Sequence, residues 1–112
     1  MQIKITGKNI DIGDALRIHV EQRIQADVIK YFDGITNCQV VVFKQRSGFD
    51  CEITLHLRTG LDLNAHGDGG DAHSAVDMAV EHLEKRLRRY KRRLKNHHLD
   101  RQEPVVAMQA AS

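Results

Sequence analysis

Between Lys85 and Lys95 the chain reads KRLRRYKRRLK, in which eight of eleven residues are Lys or Arg. The other three, Leu87, Tyr90 and Leu94, are spaced three and four apart, which puts them on one face of a helix. They continue a stripe that begins at Val76, Ala79, Val80 and Leu83. The segment is therefore half core and half cation. At about 100° per residue, Lys85 and Arg92 point directly away from the stripe. Arg88, Lys91 and Lys95 run along one flank, and Arg86, Arg89 and Arg93 along the other. Like charges recur at i,i+4 in the pairs 85/89, 88/92, 89/93 and 91/95, and at roughly 0.2–0.5 kcal/mol each they cost about 1–2 kcal/mol. The helix dipole favours cations near a C-terminus and offsets part of this. Glu81 ahead of Lys85 and Glu84 ahead of Arg88 are placed to offset a little more. A fold alone gives no reason to concentrate cations in this way. A polyanionic partner does, because Lys and Arg displace the counterions condensed on phosphates. Lys91, nearest the core edge, is the one placed to snorkel. Arg23 and Lys30 are weaker candidates on an earlier helix.

Other residue types that could do chemistry do not assemble into a site. His66, Asp68, Asp71 and His73 fall close together, and the stretch from Asp62 begins like a calcium loop, D-x-N-x-H-G. Its twelfth position is His73, where a bidentate Glu is required, so no metal site is expected. Cys38 and Cys51 lack a CxxC partner and read as reduced, buried packing residues of a cytosolic protein. No Ser/His/Asp order, P-loop or GxGxxG is present. The expectation is a protein with no catalytic residues and no cofactor.

The chain has 112 residues, 41% hydrophobic and 29% charged, which suits one soluble domain. Its formal net charge of +2 hides an asymmetry. Residues 1–70 hold eight Lys/Arg against nine Asp/Glu, while residues 71–112 hold nine against six. The basic character is thus a local patch, the electrostatic footprint of a nucleic-acid surface. Met1-Gln2-Ile3-Lys4 runs straight into alternating polarity, unlike a secretory signal. No run reaches the roughly 18 apolar residues of a membrane span, so no membrane partner is expected.

The elements that must hold the basic run follow from periodicity. Met1, Ile3 and Ile5 alternate with polar residues as a short strand. Gly13 or Asp11 is a candidate N-cap for a helix carrying Leu16, Val20, Ile24, Asp27/Val28 and Tyr31, with Arg23 and Lys30 on one edge beside His19. That helix should end near Phe32-Asp33-Gly34. Cys38, Val40 and Val42 define a second strand, and Cys51, Ile53, Leu55 and Leu57 a third. A hairpin turn at Thr59-Gly60 leads to a fourth strand with Leu61, Leu63 and Ala65. Gly67-Asp68-Gly69-Gly70 reads as a flexible loop, and Asp71 caps a helix over residues 71–96. Beyond His97-His98, taken as an exposed helix end, the pattern is lost. The predicted class is α+β, ordered β-α-β-β-β-α, a four-stranded mixed sheet with two helices on one face. Strands one and two should be parallel with a right-handed crossover, and strands two to four antiparallel. Residues 1–98 form the domain, and residues 99–112 read as a flexible tail or the start of a linker.

This arrangement resembles the ribosome hibernation promoting factors, a family that includes the ribosome-associated inhibitor once called protein Y. The resemblance covers residues 1 to about 98. It rests on ITGKNIDIGDALRIHVEQRI, on LDLNAHGDGGDAHSAVDMAVEHLEKRLRRYKRRLK, and on the strand pair between them. The family usually has Tyr where this chain has His73, and Thr or Ser at the first helix N-cap where Gly13 stands. The resemblance implies a bacterial, cytoplasmic, non-enzymatic protein of the stress response. Such a protein binds the small ribosomal subunit in the channel between head and body and excludes mRNA and tRNA. Its partners would be rRNA and neighbouring ribosomal proteins, with no small-molecule substrate. Ribosome pairing would require a further C-terminal domain. On this reading Lys85, Arg86, Arg88, Arg89, Lys91, Arg92, Arg93 and Lys95 are the phosphate-binding candidates, with Arg23 and Lys30 beside them.

Two other functions compete. One is a modulator that binds a protein partner, of the sigma-factor type, through the same basic helix. The other is a generic double-stranded RNA module, which resembles the fold in outline but begins with a helix.

Overall fold

The strands are built largely from β-branched and aliphatic residues at period two, and the middle strands bury every second side chain. The computed structural model describes residues 2–30, 32 and 34–100, and side chains as far as Leu94. The strands are β1 (Gln2–Lys8), β2 (Ile35–Gln45), β3 (Gly48–Leu57) and β4 (Asp62–Gly69). They form one sheet in the order β1-β2-β3-β4. β1 pairs with β2 in parallel, Ile5 opposite Val40, and the β2–β3 and β3–β4 pairs are antiparallel, as the pattern predicts. The helices are α1 (Asp14–Ile24) and α2 (Ala72–Asp100). The predicted α+β class and the order β-α-β-β-β-α are those observed.

The core lies between the sheet and the two helices. Cys38, Val40, Val42, Ile53 and Leu55 from the sheet meet Val20, Ile24 and Val28 from the first helical segment and Val76, Val80, Leu83 and Leu87 from α2. Both cysteines are buried and unbridged. Burial pushes their thiols up to about 12, so both are neutral packing groups. The opposite face of the sheet is polar. There Asn64 Nδ2 donates to Thr54 Oγ1 at 3.2 Å, and His56 Nδ1 lies 2.7 Å from Asp62 Oδ1. β3 and β4 carry Asp50, Glu52, Asp62 and Asp68 and contain no Lys or Arg.

Two readings need correction. The predicted straight first helix is α-helical only to Ile24, and Gln25–Ile29 form a π-helical turn in which Lys30 N–H donates to the Gln25 carbonyl at 3.2 Å. Tyr31 and Asp33, expected near its end, lie outside the described residues, as do Met1 and the tail 101–112. The predicted flexible loop at Gly67–Gly70 is in fact mostly strand, since β4 continues through Gly69. Gly67 pairs with Cys51 and Asp68 with Asp50. The glycines are needed there for a close approach of helix to sheet. A Cβ on Gly67 would stand 2.2 Å from the backbone nitrogen of Ala79 and 2.7 Å from the carbonyl oxygen of Ala75. With Ala75 and Ala79 fully buried opposite it, α2 rests on β4 backbone to backbone.

Candidate nucleic-acid interface

The position of the basic run is set at the other end of its helix. Asp71 lies just before α2, and the Ser74 N–H donates to its Oδ1 at 2.7 Å. That bond holds the Asp71 carboxyl below the usual aspartate range, and it satisfies one of the helix's open donors. Contact with Gly67 follows one turn later, and His82 Nδ1–H then donates to the His66 carbonyl on the edge of β4 at 2.6 Å. α2 thus runs antiparallel to β4. Its 29 residues span about 43 Å at 1.5 Å per residue, whereas the eight residues of β4 span about 27 Å. The last third of α2 overhangs the sheet.

The predicted site straddles the start of that overhang, since Leu83 and Leu87 are still fully buried and only the part beyond Tyr90 passes the sheet. Lys85, Arg86, Arg88, Arg89, Lys91, Arg92 and Arg93 are all exposed. Among the described residues, Lys85, Arg86, Arg88, Arg89, Arg92 and Arg93 take part in no ion pair. The side chain of Lys95 and those of His97 and His98 lie outside the described set. These six cations are therefore carried exposed along one continuous helix. Tyr90 is the last firm anchor. It is half-buried, packs edge-on against Phe32 with ring centroids 5.9 Å apart, and its hydroxyl lies 3.5 Å from Thr59 Oγ1.

Leu94 departs from the expected core stripe, with 42% of its surface exposed. It lies one turn beyond Tyr90, where the helix has passed the end of the strands. The expected pairs Glu81–Lys85 and Glu84–Arg88 do not close within ion-pair distance among the described residues. Glu84 instead lies half-buried toward α1. Burial pushes its carboxyl up, Asp27 adds to this, and Arg23 and Arg88 act against it.

Arg23 is taken up in ion pairs, and Lys30 stands beside β1. Arg23 lies between the helices, where Nε donates to Asp27 Oδ2 at 2.7 Å and Nη1 to Asp77 Oδ1 at 2.8 Å. Burial acts against its charge, but the bond to Asp27 and the field of Asp27, Asp77 and Glu84 raise its affinity for the proton. His19 Nε2 meets the same Asp77 oxygen at 2.7 Å, and its ring lies 4.8 Å from that of His73. The departure at His73 thus falls in a clasp between α1 and α2. Lys30 is exposed and lines a groove of about 710 Å³ with Ile3, Gln22 and Gln25, between the first helical segment and β1.

One cation missed by the helical pattern stands at the same end of the molecule. Arg58 is exposed in the β3–β4 turn, next to the Thr59 that meets Tyr90. The signal was topological: a helix returning antiparallel over β4 must end beside the turn where β4 begins. The segment that resembled a calcium loop is β4 itself, and Asp71 is engaged as a cap. Among the described residues no three His, Cys, Asp or Glu side chains are arranged to hold a metal ion. No helix among them is long and apolar enough to cross a membrane.

Comparisons with known proteins show what the chain is similar to. A family model described as sigma 54 modulation protein / S30EA ribosomal protein matches residues 3–95. The chain is 47% identical over 98 residues to a ribosome hibernation promotion factor of Rhizobium meliloti (strain 1021), covering 88% of this chain and 52% of that protein. It is 34% identical over 97 residues to the ribosome hibernation promoting factor of Escherichia coli (strain K12), covering 87% of this chain and all of the other. The chain spans about half the length of the Rhizobium and Bradyrhizobium relatives. Among solved structures, a ribosomal subunit interface protein from Coxiella burnetii superposes with a TM-score of 0.75 at 27% identity, over 82% of this chain and 99% of that one. The N-terminal domain of Thermus thermophilus Protein Y gives 0.70 at 32% identity, over 80% and 99%.

Proposed function

The chain belongs to the sigma 54 modulation protein / S30EA ribosomal protein family, and on that premise we propose that it is a ribosome-binding hibernation factor that silences translation by occupying the mRNA and tRNA channel of the small subunit. The observation that carries this reading is the row of exposed cations along the second half of α2, a helix fixed to the sheet through Leu83 and Leu87. Ribosomal RNA offers phosphates at high density, and each Lys or Arg placed on one releases counterions. The arginines add a fork geometry that suits phosphate oxygens. The residues proposed to make these contacts are Lys85, Arg86, Arg88, Arg89, Lys91, Arg92, Arg93 and Lys95. Arg23, held by two carboxylates, and Lys30, beside β1, fit the role less well. The acidic open face of β3 and β4 disfavours phosphate contacts on that part of the opposite side.

The mechanism requires no bond-making step and no catalytic group. A rigid domain in the channel excludes mRNA and tRNA by volume. The test is a toeprinting assay on small subunits incubated with the chain before a leadered mRNA and initiator tRNA are added. Stalled-complex signal should fall as the chain is titrated in. If mRNA and tRNA load normally on subunits that still carry the chain, the channel reading is wrong.

A further inference from the structure

Four large apolar side chains are more than a third exposed among the described residues: Ile18, Leu61, Met78 and Leu94. Two of them, Leu61 at 45% and Leu94 at 42%, line one groove. Leu63, Tyr90 and Arg93 complete it, and its volume is about 340 Å³. The groove lies between the beginning of β4 and the last third of α2, inside the row of cations. We propose that it receives one unstacked RNA base, with Arg93 on the phosphate of the same nucleotide. This rests on the reading of the chain as an RNA-binding ribosome factor and adds to it a point of contact that is not a phosphate.

Charge selects the occupant. One wall of the groove is the flank that carries Arg86, Arg89 and Arg93. A second copy seated there through the same face would set its own Arg86, Arg89 and Arg93 against these, and like charges brought together destabilise an interface. The occupant must therefore be apolar and anionic at once. An unpaired nucleotide is both: a flat ring with a charged phosphate attached. Proteins that read single-stranded RNA place such bases against aromatic and apolar side chains and Arg planes. Tyr90 is suited to the floor. Its edge-on contact with Phe32 and its hydroxyl near Thr59 hold the ring in place, so a base meeting it pays little to order it. Leu61 and Leu94 then close on the two sides of the base. The groove's volume is at the small end of the roughly 300–1,000 Å³ range of ligand pockets, enough for a single ring system.

The test is affinity for purified small ribosomal subunits as a function of salt, for wild type and for the double variant Leu61→Ser, Leu94→Ser. Both side chains are exposed, and circular dichroism checks that the variant is folded. Loss of the base contact should weaken binding about tenfold while the slope of log affinity against log salt stays that of wild type. If the variant binds as tightly as wild type, the groove inference falls and the ribosome reading stands. If wild type itself does not bind subunits, the ribosome reading has failed. The class of occupant is read separately, with p-azidophenylalanine at position 61 in the full chain. A crosslink to ribosomal RNA supports the proposal. A crosslink to a ribosomal protein, to a second copy or to the chain's own residues 101–112 overturns it.

Discussion

Arg23 on α1 and Asp77 on α2 lie 2.8 Å apart across the helix–helix contact, although 54 residues separate them in sequence. The same guanidinium is held by Asp27 at 2.7 Å, and the same Asp77 oxygen meets His19. This clasp ties α1 to the first turns of α2. Arg23→Gln should therefore lower stability by about 1 kcal/mol, the upper range for a partly exposed ion pair, and Asp77→Asn should do the same. Affinity for small subunits should change less than twofold in Arg23→Gln once the protein is folded. Thermal melts and a binding titration of the same samples check both halves. A large loss of binding without loss of stability would return Arg23 to the RNA-contacting set.

Gly67 is the point where helix and sheet backbones touch. Gly67→Ala drives a methyl group into the backbone nitrogen of Ala79, which cannot swing aside as a side chain can. Overpacking of this kind should cost about 3 kcal/mol, read as a shift in the urea midpoint. Gly70→Ala, where an added Cβ meets nothing within 4 Å, is the matched control and should change little.

Asp71 makes the start of α2 sensitive to acid. Its carboxyl titrates below the ordinary aspartate value of about 3.9, because the charged form accepts the Ser74 N–H. A depressed value means that the contribution is complete above the ordinary value and is lost as pH falls through the folded one. Asp71→Asn keeps an oxygen for the cap but cannot titrate. The difference in melting temperature between wild type and Asp71→Asn should hold steady from pH 7 to 5 and shrink below about pH 4. A difference that does not change with pH would contradict the cap as described.

Much of the architecture was legible because periodicity is a local property. The alternation of Cys51, Ile53, Leu55 and Leu57, and the spacing of Val76, Val80, Leu83 and Leu87, fix which faces are buried wherever the elements end up. What escaped depends on relations between distant segments. Gly67 and Gly69 look like chain breakers until a helix is laid against them. Leu94 looks like core until the lengths of α2 and β4 are compared. Arg23 falls on a cationic edge of its own helix, and nothing near it in sequence announces Asp77. The basic row from Lys85 onward was visible as composition, but that its far end, beyond Tyr90, runs past the sheet was not. The π-helical turn at Gln25–Ile29 has no composition signal that we recognise.

We propose that ribosome binding is carried by the exposed arginines of α2. Co-sedimentation with purified small subunits over a range of salt concentrations tests it most directly, with Arg89, Arg92 and Arg93 all changed to Glu. Wild-type binding should weaken steeply with salt, each phosphate contact adding about 0.7–0.9 to the log–log slope. The triple variant should keep its circular dichroism spectrum and stay in the supernatant even at low salt. A folded triple variant that still pellets with the subunits would contradict the account.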